Sequence, residues 1–431
     1  MTKTVALHTL GCKLNFSETS SISRLLEQDG FEKREFNDIA DVYVINTCSV
    51  TENADKECRQ LVRRIQRKAP SSMVVITGCY AQLKPTEIAA IEGVDLVLGA
   101  AEKFDIVNHL RELTKGSTAK ICSCDIEDVN IFIPSHSIND RTRTFLKVQD
   151  GCDYNCSFCT IPMARGKSRS DSIQNIIAKV RQLASDGVQE IVLTGINLGD
   201  FGLQHTNEYP HENKIAIKGR EQDFFMLMQA LEKEEGIPRY RISSIEPNLL
   251  SHEMIDFVAQ SIRFMPHFHI PLQSGSNKIL RTMRRRYNKE MYKDKIEHIK
   301  KAMPHAAIGV DVIVGFPGES EADFNETVTF IESLDVSYLH VFTYSERLET
   351  HAVDIKPIVP IQIRNERNKI LRKLSYQKLR DFTEQHRFQI RKVLFERNSK
   401  NGVLEGYSDN YIKVSAAYND LLVNKIVDWQ L

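Results

Sequence analysis

The chain reads as an α/β protein in three parts: an N-terminal doubly wound parallel sheet, a central TIM-like (βα)6 barrel, closed or partial, and a small C-terminal β-barrel. Three observations lead there. Short β-branched strands alternate with amphipathic helices up to about residue 113, and six more βα units follow between about 136 and 365. After a basic helix, short strands separated by turn residues close the sequence. A length of 431 residues suits about three domains. The expected boundaries are 1–114, a polar linker at 115–135, 136–365 and 366–431.

Lys plus Arg equal Asp plus Glu at 57 each, so overall charge argues neither for nor against nucleic acid and only local clustering can speak. Nine cysteines, with no hydrophobic leader after Met1-Thr-Lys-Thr, point to a reducing cytoplasm rather than a disulfide scaffold. No apolar run approaches membrane-spanning length. A soluble cytoplasmic protein with no membrane partner is expected.

In the first part, residues 5–9, 42–46, 73–77 and 96–98 read as strands, followed by helical stretches at 17–28, 54–68, 85–91 and 102–113. The carboxyl ends of parallel strands share one edge, where such sheets place ligands. A cysteine follows each of the first three strands within two or three residues: Cys12, Cys48 and Cys79. Three distant thiols are therefore expected to meet at that edge and form a three-thiolate site. The bland alternative is three unrelated packing residues, and the repeated strand-then-Cys arrangement argues against it. Cys58 in a charged helix, and Cys122 and Cys124 in the polar stretch 114–143, are expected to have no ligand role.

A strand over 145–149 runs directly into Cys152-Asp-Tyr-Asn-Cys156-Ser-Phe-Cys159. Three thiolates this close can grip three irons of a cubane cluster and leave the fourth iron open for chemistry. A structural zinc site would want four closed ligands and an electron-carrier ferredoxin a fourth cysteine; no fourth Cys or His stands at short spacing. Further strands are expected at 190–194, 239–243, 268–271, 308–314 and 337–344, with helices between them that include 173–185 and 321–333. Loops at the carboxyl ends of these strands should hold the site.

The C-x3-C-x2-C loop is similar to that of the radical S-adenosylmethionine (SAM) superfamily. Together with Thr9-Leu-Gly-Cys12-Lys-Leu-Asn15-Phe-Ser-Glu18, Asn46-Thr-Cys48 and Thr77-Gly-Cys79, it makes nearly the whole chain resemble the radical SAM methylthiotransferases. Asn46-Thr-Cys-Ser-Val-Thr-Glu-Asn-Ala-Asp55, Leu193-Thr-Gly-Ile-Asn-Leu-Gly-Asp200 and Arg241-Ile-Ser-Ser-Ile-Glu-Pro247 carry a narrower likeness to the branch acting on N6-threonylcarbamoyladenosine in tRNA. The resemblance implies a partial (βα)6 barrel and two 4Fe-4S clusters. Cys152, Cys156 and Cys159 would hold the one that cleaves SAM; Cys12, Cys48 and Cys79 would hold an auxiliary one that presents sulfur. Two SAM molecules per turnover are implied, with no catalytic side chain beyond the cluster ligands. The implied product is methylthiolated at C2 of the adenosine at position 37, beside the anticodon. Implied partners are the tRNA anticodon stem-loop, a reducing electron donor and a sulfur source.

Two rival branches act on isopentenyladenosine in tRNA and on a ribosomal-protein aspartate; from another class, a non-catalytic iron–sulfur RNA-binding protein is the alternative. A threonylcarbamoyl carboxylate calls for a nearby cation, an isopentenyl tail for an apolar slot.

By the same resemblance, Phe158 would pack on the adenosyl group, and Gly195 and Asn197 would meet the methionyl amino group, without the usual paired glycines and acid. Glu246 would accept from ribose, Gln273 and Ser274 would add polar contacts, and the strand from Asp311 to Gly315 would meet adenine with its backbone. Arg165 and Arg169 would hold an anionic group of SAM or substrate, or cap the helix that follows. His267 and His269 share a strand face at i, i+2 spacing. With no third ligand evident, hydrogen-bonded barrel histidines are the preferred reading. Residues 201–223, a polar insertion without apolar period, read as a surface loop.

Between Arg364 and Lys400 there are twelve Lys or Arg against four Asp or Glu, which suits phosphate contacts or a solvated face. A second basic run at 281–286 could add to an RNA face. Short strands near 393–395, 402–406 and 411–414 then read as a small barrel, where the family carries its RNA-binding TRAM domain.

Overall fold

The computed structural model describes all residues except 1–2, 50–51, 117, 139–141, 206–216 and 401. Six parallel strands make the N-terminal sheet in the order β2-β1-β3-β4-β5-β6: Thr4–Thr9 (β1), Glu32–Arg34 (β2), Val42–Thr47 (β3), Met73–Gly78 (β4), Leu96–Leu98 (β5) and Lys120–Cys122 (β6). The period of two sorts their side chains onto two covered faces. On one face Ala6, Tyr43, Ile45 and Ile76 meet Leu61, Val62 and Ile65 of helix Glu52–Lys68. On the other, Val5, Val44, Val75 and Leu98 meet Ile22 and Leu26 of α1, Lys13–Gln28. β2 is charged at every position and β6 spans only three residues, so neither shows the alternation that marks a strand. Both are edges, and the charge on β2 suits one. The expected linker therefore contributes a strand, and Cys122 sits in it.

The six expected barrel strands are present: Thr144–Lys147 (β7), Glu190–Thr194 (β8), Arg239–Ile242 (β9), His267–His269 (β10), Ala307–Val314 (β11) and Tyr338–Thr343 (β12). They run parallel within two three-stranded groups. The Tyr240–Phe264 bridge and an Ile245 N–H to His269 carbonyl bond of 3.1 Å join the groups between β9 and β10. Among the described residues no ladder joins β7 to β12, so the barrel is partial. α1 packs on β7 at the open side. Helix Ile173–Ser185 is capped by Ser172, and Glu321–Ser333 opens on a reciprocal capping box of Ser320 and Asp323.

The expected loop at 201–223 is partly ordered structure: Leu203–His205 pairs antiparallel with Ile217–Arg220, and Phe201 is buried in the barrel core. Residues 206–216 of that expectation lie outside the described residues. The long basic helix Ile361–Gln385 packs along β12 and turns part of its charge inward. Arg367 bonds Glu319 at 2.5 Å, and Arg364 bonds the carbonyls of Val359 and Tyr344. The last part is an antiparallel sheet, β15-β14-β13-β16, built from Ile390–Lys400 (β13), Val403–Ser408 (β14), Lys413–Ala417 (β15) and Ile426–Gln430 (β16). Arg239 and Arg241 of β9 anchor it by donating to the carbonyls of Lys392, Tyr407, Ser408 and Asp409. No helix among the described residues is long and apolar enough to cross a membrane.

Candidate active site

The strand edge of the N-terminal sheet brings Cys12, Cys48 and Cys79 together. Cys12 precedes α1, Cys48 follows β3, and Cys79 opens the short helix α2, Cys79–Leu83. Gly11 and Gly78 stand immediately before two of them in the left-handed region, at φ +102° and +98°. A Cβ on Gly11 would lie 2.6 Å from Cβ of Cys48, and one on Gly78 would strike the Thr47 carbonyl. The Asn15 amide binds the Leu10 and Thr47 carbonyls, both at 2.9 Å, and so ties the first two loops together. Gly78→Ala is expected to push Cys79 out of place and lower iron content toward that of a single cluster, as iron assay per chain would read.

The second triad lies in the loop after β7. The Tyr154 N–H points at Cys152 Sγ (3.4 Å), and Arg285 Nη1 donates to Cys156 Sγ (3.1 Å). Burial raises the Cys152 and Cys156 thiols and pushes Cys159 up to about 12. Burial likewise raises Cys79, with Arg165 opposing it and Cys12 adding to the rise. Buried thiols with aimed N–H donors suit metal-bound thiolates, because coordination deprotonates them and removes the burial penalty. A single zinc ion with bonds of about 2.3 Å would draw its sulfurs to roughly 3.8 Å apart. Among the described residues the trio of metal-type side chains drawn within 4.8 Å of one another is His269, Asp311 and His340. Neither cysteine triad is drawn together that closely, which leaves room for a polynuclear cluster. Both triads fit a cluster bound through three thiolates.

The two sites lie on facing elements. α2, which begins at Cys79, packs on α3, Ile161–Arg165, which begins just after Cys159. Between them runs a buried ionic network. Glu18, fully buried, receives Lys103 at 2.8 Å, Lys147 at 3.3 Å and Arg165 at 3.1 and 3.2 Å. Arg165 also bonds Asp150 at 2.9 Å and Asn15 at 2.6 Å. Burial alone would raise Glu18, but Arg165, Lys103 and Lys147 hold its carboxyl well below the usual range. With Arg169 3.5 Å from Asp150, four cations face two carboxylates, and Arg165 feels Cys79 and Cys12 as well.

Arg165 and Arg169, expected to hold an anionic group of SAM or substrate or to cap the following helix, both make contacts within the protein. Arg165 is locked into the network, and Arg169 donates to the carbonyls of Arg165 (2.6 Å), Lys167 (3.0 Å) and Ile131 (3.1 Å). Glu246 does reach the cluster loop, through an ion pair with Arg285. Burial, offset in part by Arg285, raises its carboxyl. Arg285 comes from the run expected on an RNA face; its side chain is 5% exposed, while its neighbour Arg286 lies 4.0 Å over the Tyr154 ring. Phe158 packs edge-on against Phe316. Asn197 is held by Gln149, which accepts from Asn197 N–H at 2.9 Å and donates to the Gly151 carbonyl at 2.7 Å, and a Cβ on Gly195 would lie 2.8 Å from Gln149 Oε1. Sequence reasoning left this buried amide as a plain strand residue. Gln273, at φ +65°, joins β11 through its backbone. The fully buried Ser274 hydroxyl contacts Thr327 and accepts from Ser276 N–H, and Gly315 N–H donates to Glu319, so these two make structural contacts.

A cavity of about 380 Å³ opens where the three parts meet, walled by Cys12, Lys13, Arg143, Arg241, His267 and Tyr411 among others. That volume is in the range of small-molecule sites. His267 is hydrogen-bonded as expected, 2.8 Å from the Tyr338 hydroxyl and stacked on Tyr411 at 4.0 Å. His269 bonds Asp311 at 2.8 Å, with His340 as the third member that spacing alone could not reveal. Burial would raise the Tyr411 phenol, yet Arg143, Lys13 and Arg241 around it pull it below its ordinary value.

Residues 4–99 match the uncharacterized protein family UPF0004, and residues 146–331 match the radical SAM superfamily. The chain is 39% identical to the threonylcarbamoyladenosine tRNA methylthiotransferase MtaB of Bacillus subtilis, over 98% of this chain and 92% of that protein. It is 30% identical to the tRNA-2-methylthio-N(6)-dimethylallyladenosine synthase of Clostridium tetani, over 99% and 93%. Among solved structures, the radical SAM methyltransferase TsrM from Kitasatospora setae, with tryptophan and a SAM analogue bound, superposes with a TM-score of 0.54 at 15% identity. It covers 79% of this chain and 73% of that one, a likeness of fold.

Proposed function

The chain belongs to the radical SAM methylthiotransferase family, and we propose that it adds a methylthio group to C2 of N6-threonylcarbamoyladenosine at position 37 of tRNA. What carries the reading is the pairing of two three-thiol sites on helices that pack against one another, in a chain similar over nearly its whole length to enzymes of that name. The cationic walls of the adjoining cavity favour a carboxylate-bearing substituent over a dimethylallyl one.

When loaded, the Cys152, Cys156 and Cys159 site would supply the electron that cleaves SAM, and the Cys12, Cys48 and Cys79 site the sulfur that is transferred. The protein's own groups prepare both. Arg285 and the Tyr154 N–H direct hydrogen bonds at the sulfurs of Cys156 and Cys152, a contact of the kind that sets cluster potential. Gln149 fixes that loop to the segment at Gly195 and Asn197. Phe158 and Phe316 wall the loop with apolar surface. The cation surplus around Glu18 offsets the negative charge that thiolates at Cys12 and Cys79 would bring. On this reading SAM, a low-potential electron donor and a sulfur source are required, the C-terminal sheet is a TRAM-like module that helps hold the anticodon stem-loop, and the protein works in the cytoplasm.

Mass spectrometry of digested tRNA from cells with and without the protein tests the reading. The 2-methylthio derivative of N6-threonylcarbamoyladenosine should vanish in its absence. Loss of methylthiolated isopentenyladenosine instead would overturn it.

A further inference from the structure

Of the cations lining the cavity between the three parts, two are already matched. Arg241 forks Glu190 at 2.9 and 3.2 Å and gives further donors to the Ser408 and Asp409 carbonyls. Arg143 pairs with Glu396 at 3.0 Å and lies 4.3 Å over the Tyr407 ring. Lys13 differs. Among the described residues no carboxylate comes within ion-pairing distance of its ammonium, and the residue is exposed to the cavity's solvent rather than packed away.

Its position is also electrostatically adverse. Lys13 is the first residue of α1, whose opening turn holds no acidic side chain. A cation there faces the positive end of the helix dipole, where an anion is the favoured occupant. Arg143, Arg241 and the lysine line the cavity together, and no carboxylate stands among the residues that wall it. An exposed ammonium with no protein counter-charge, on the wall of a cavity lined by two further cations, is placed to meet an anionic ligand that enters there.

We infer that Lys13 binds the carboxylate on the N6 substituent of the target adenosine and so selects substrates whose substituent is anionic. The inference rests on the tRNA-modifying function proposed above and names the residue that would read the substrate. Lys13 adjoins Cys12, so a substituent held by the ammonium is anchored on the wall that carries the sulfur-delivering site. Two other roles for the lysine are distinguishable: a contact to an RNA phosphate, and a counter-charge for metal-bound thiolates at Cys12.

The test uses reconstituted full-length protein and two anticodon stem-loop RNAs, identical except that one carries N6-threonylcarbamoyladenosine at position 37 and the other plain adenosine. Wild type should bind the modified RNA more tightly. Lys13→Met should cut that preference by about tenfold to a hundredfold, the range for losing a charged hydrogen bond. Affinity for the plain RNA and iron content should stay near wild type, and Lys13→Arg should keep most of the preference. Affinities that fall equally for both RNAs would assign a phosphate contact and overturn the inference. Iron lost from Lys13→Met while Lys13→Gln keeps both iron and preference would overturn it too. Failure of the underlying reading shows separately: wild type would then neither prefer the modified RNA nor methylthiolate it.

Discussion

Cys12→Ala is expected to leave a protein that still cleaves SAM under reducing, anaerobic conditions but makes no methylthiolated nucleoside. The division follows from where the thiols stand. Cys12 stands beside Asn15, which ties its loop to the one carrying Cys48, whereas Cys152 and Cys156 draw their hydrogen bonds from Tyr154 and Arg285 in the barrel. Removing Cys12 takes a ligand from one site and no contact from the other. Disturbing a residue that merely supports a metal ligand costs about tenfold to a hundredfold in affinity or activity, so losing a ligand should exceed that. Measuring 5′-deoxyadenosine and the nucleoside product in one reaction separates the two functions. Product at the wild-type level would remove the N-terminal triad from the mechanism, and loss of both readouts would mean the sites are not independent.

How far the sequence could be read follows from which forces leave a pattern in it. The helices at 173–185 and 321–333 bury one apolar face each, and barrel strands β7 to β11 are buried along most of their length; period, apolar runs and capping residues record that. β2 and β6 bury almost nothing, so no alternation marks them. α1 misleads in a different way. Its run Asn15, Ser17, Glu18, Thr19 and Ser20 looks solvated, yet all five are buried, because Asn15 and Thr19 bond the N-terminal sheet while Glu18 meets the barrel's charge network. The helix therefore begins at Lys13, well before the expected residue 17. Arg165 and Arg285 show the same limit: a basic side chain reads alike whether it faces RNA, closes a domain junction or donates to a cysteine sulfur. The cysteine triads were legible because spacing and strand ends constrain them. Lys13 was not, since its significance lies in what fails to pair with it across three separate parts of the chain.

That buried junction should also be where the protein is most sensitive to a one-atom change. Glu18→Gln keeps the shape of a fully buried side chain while leaving Lys103, Lys147 and Arg165 with Asp150 as their remaining carboxylate. Breaking a buried ionic cluster in this way costs about 3–5 kcal/mol, because the stranded charges keep their desolvation penalty. The expected result is a markedly lower unfolding midpoint in urea, with the N-terminal part released for proteolysis from the barrel. The pH dependence has a definite sign. The Glu18 pKa is depressed in the folded state, so its stabilisation is complete above its ordinary value near 4.3 and fades as pH falls toward the lower folded value. The gap between wild type and Glu18→Gln should therefore be full at neutral pH and narrow only in acid. Arg165→Met makes the contrast. It leaves two lysines and Arg169 facing two carboxylates, so it should cost less stability than Glu18→Gln, yet it removes the positive charge that acts on Cys12 and Cys79 and should show up as lost iron. Equal unfolding midpoints for wild type and Glu18→Gln would mean that the network is not what holds the two cysteine sites face to face.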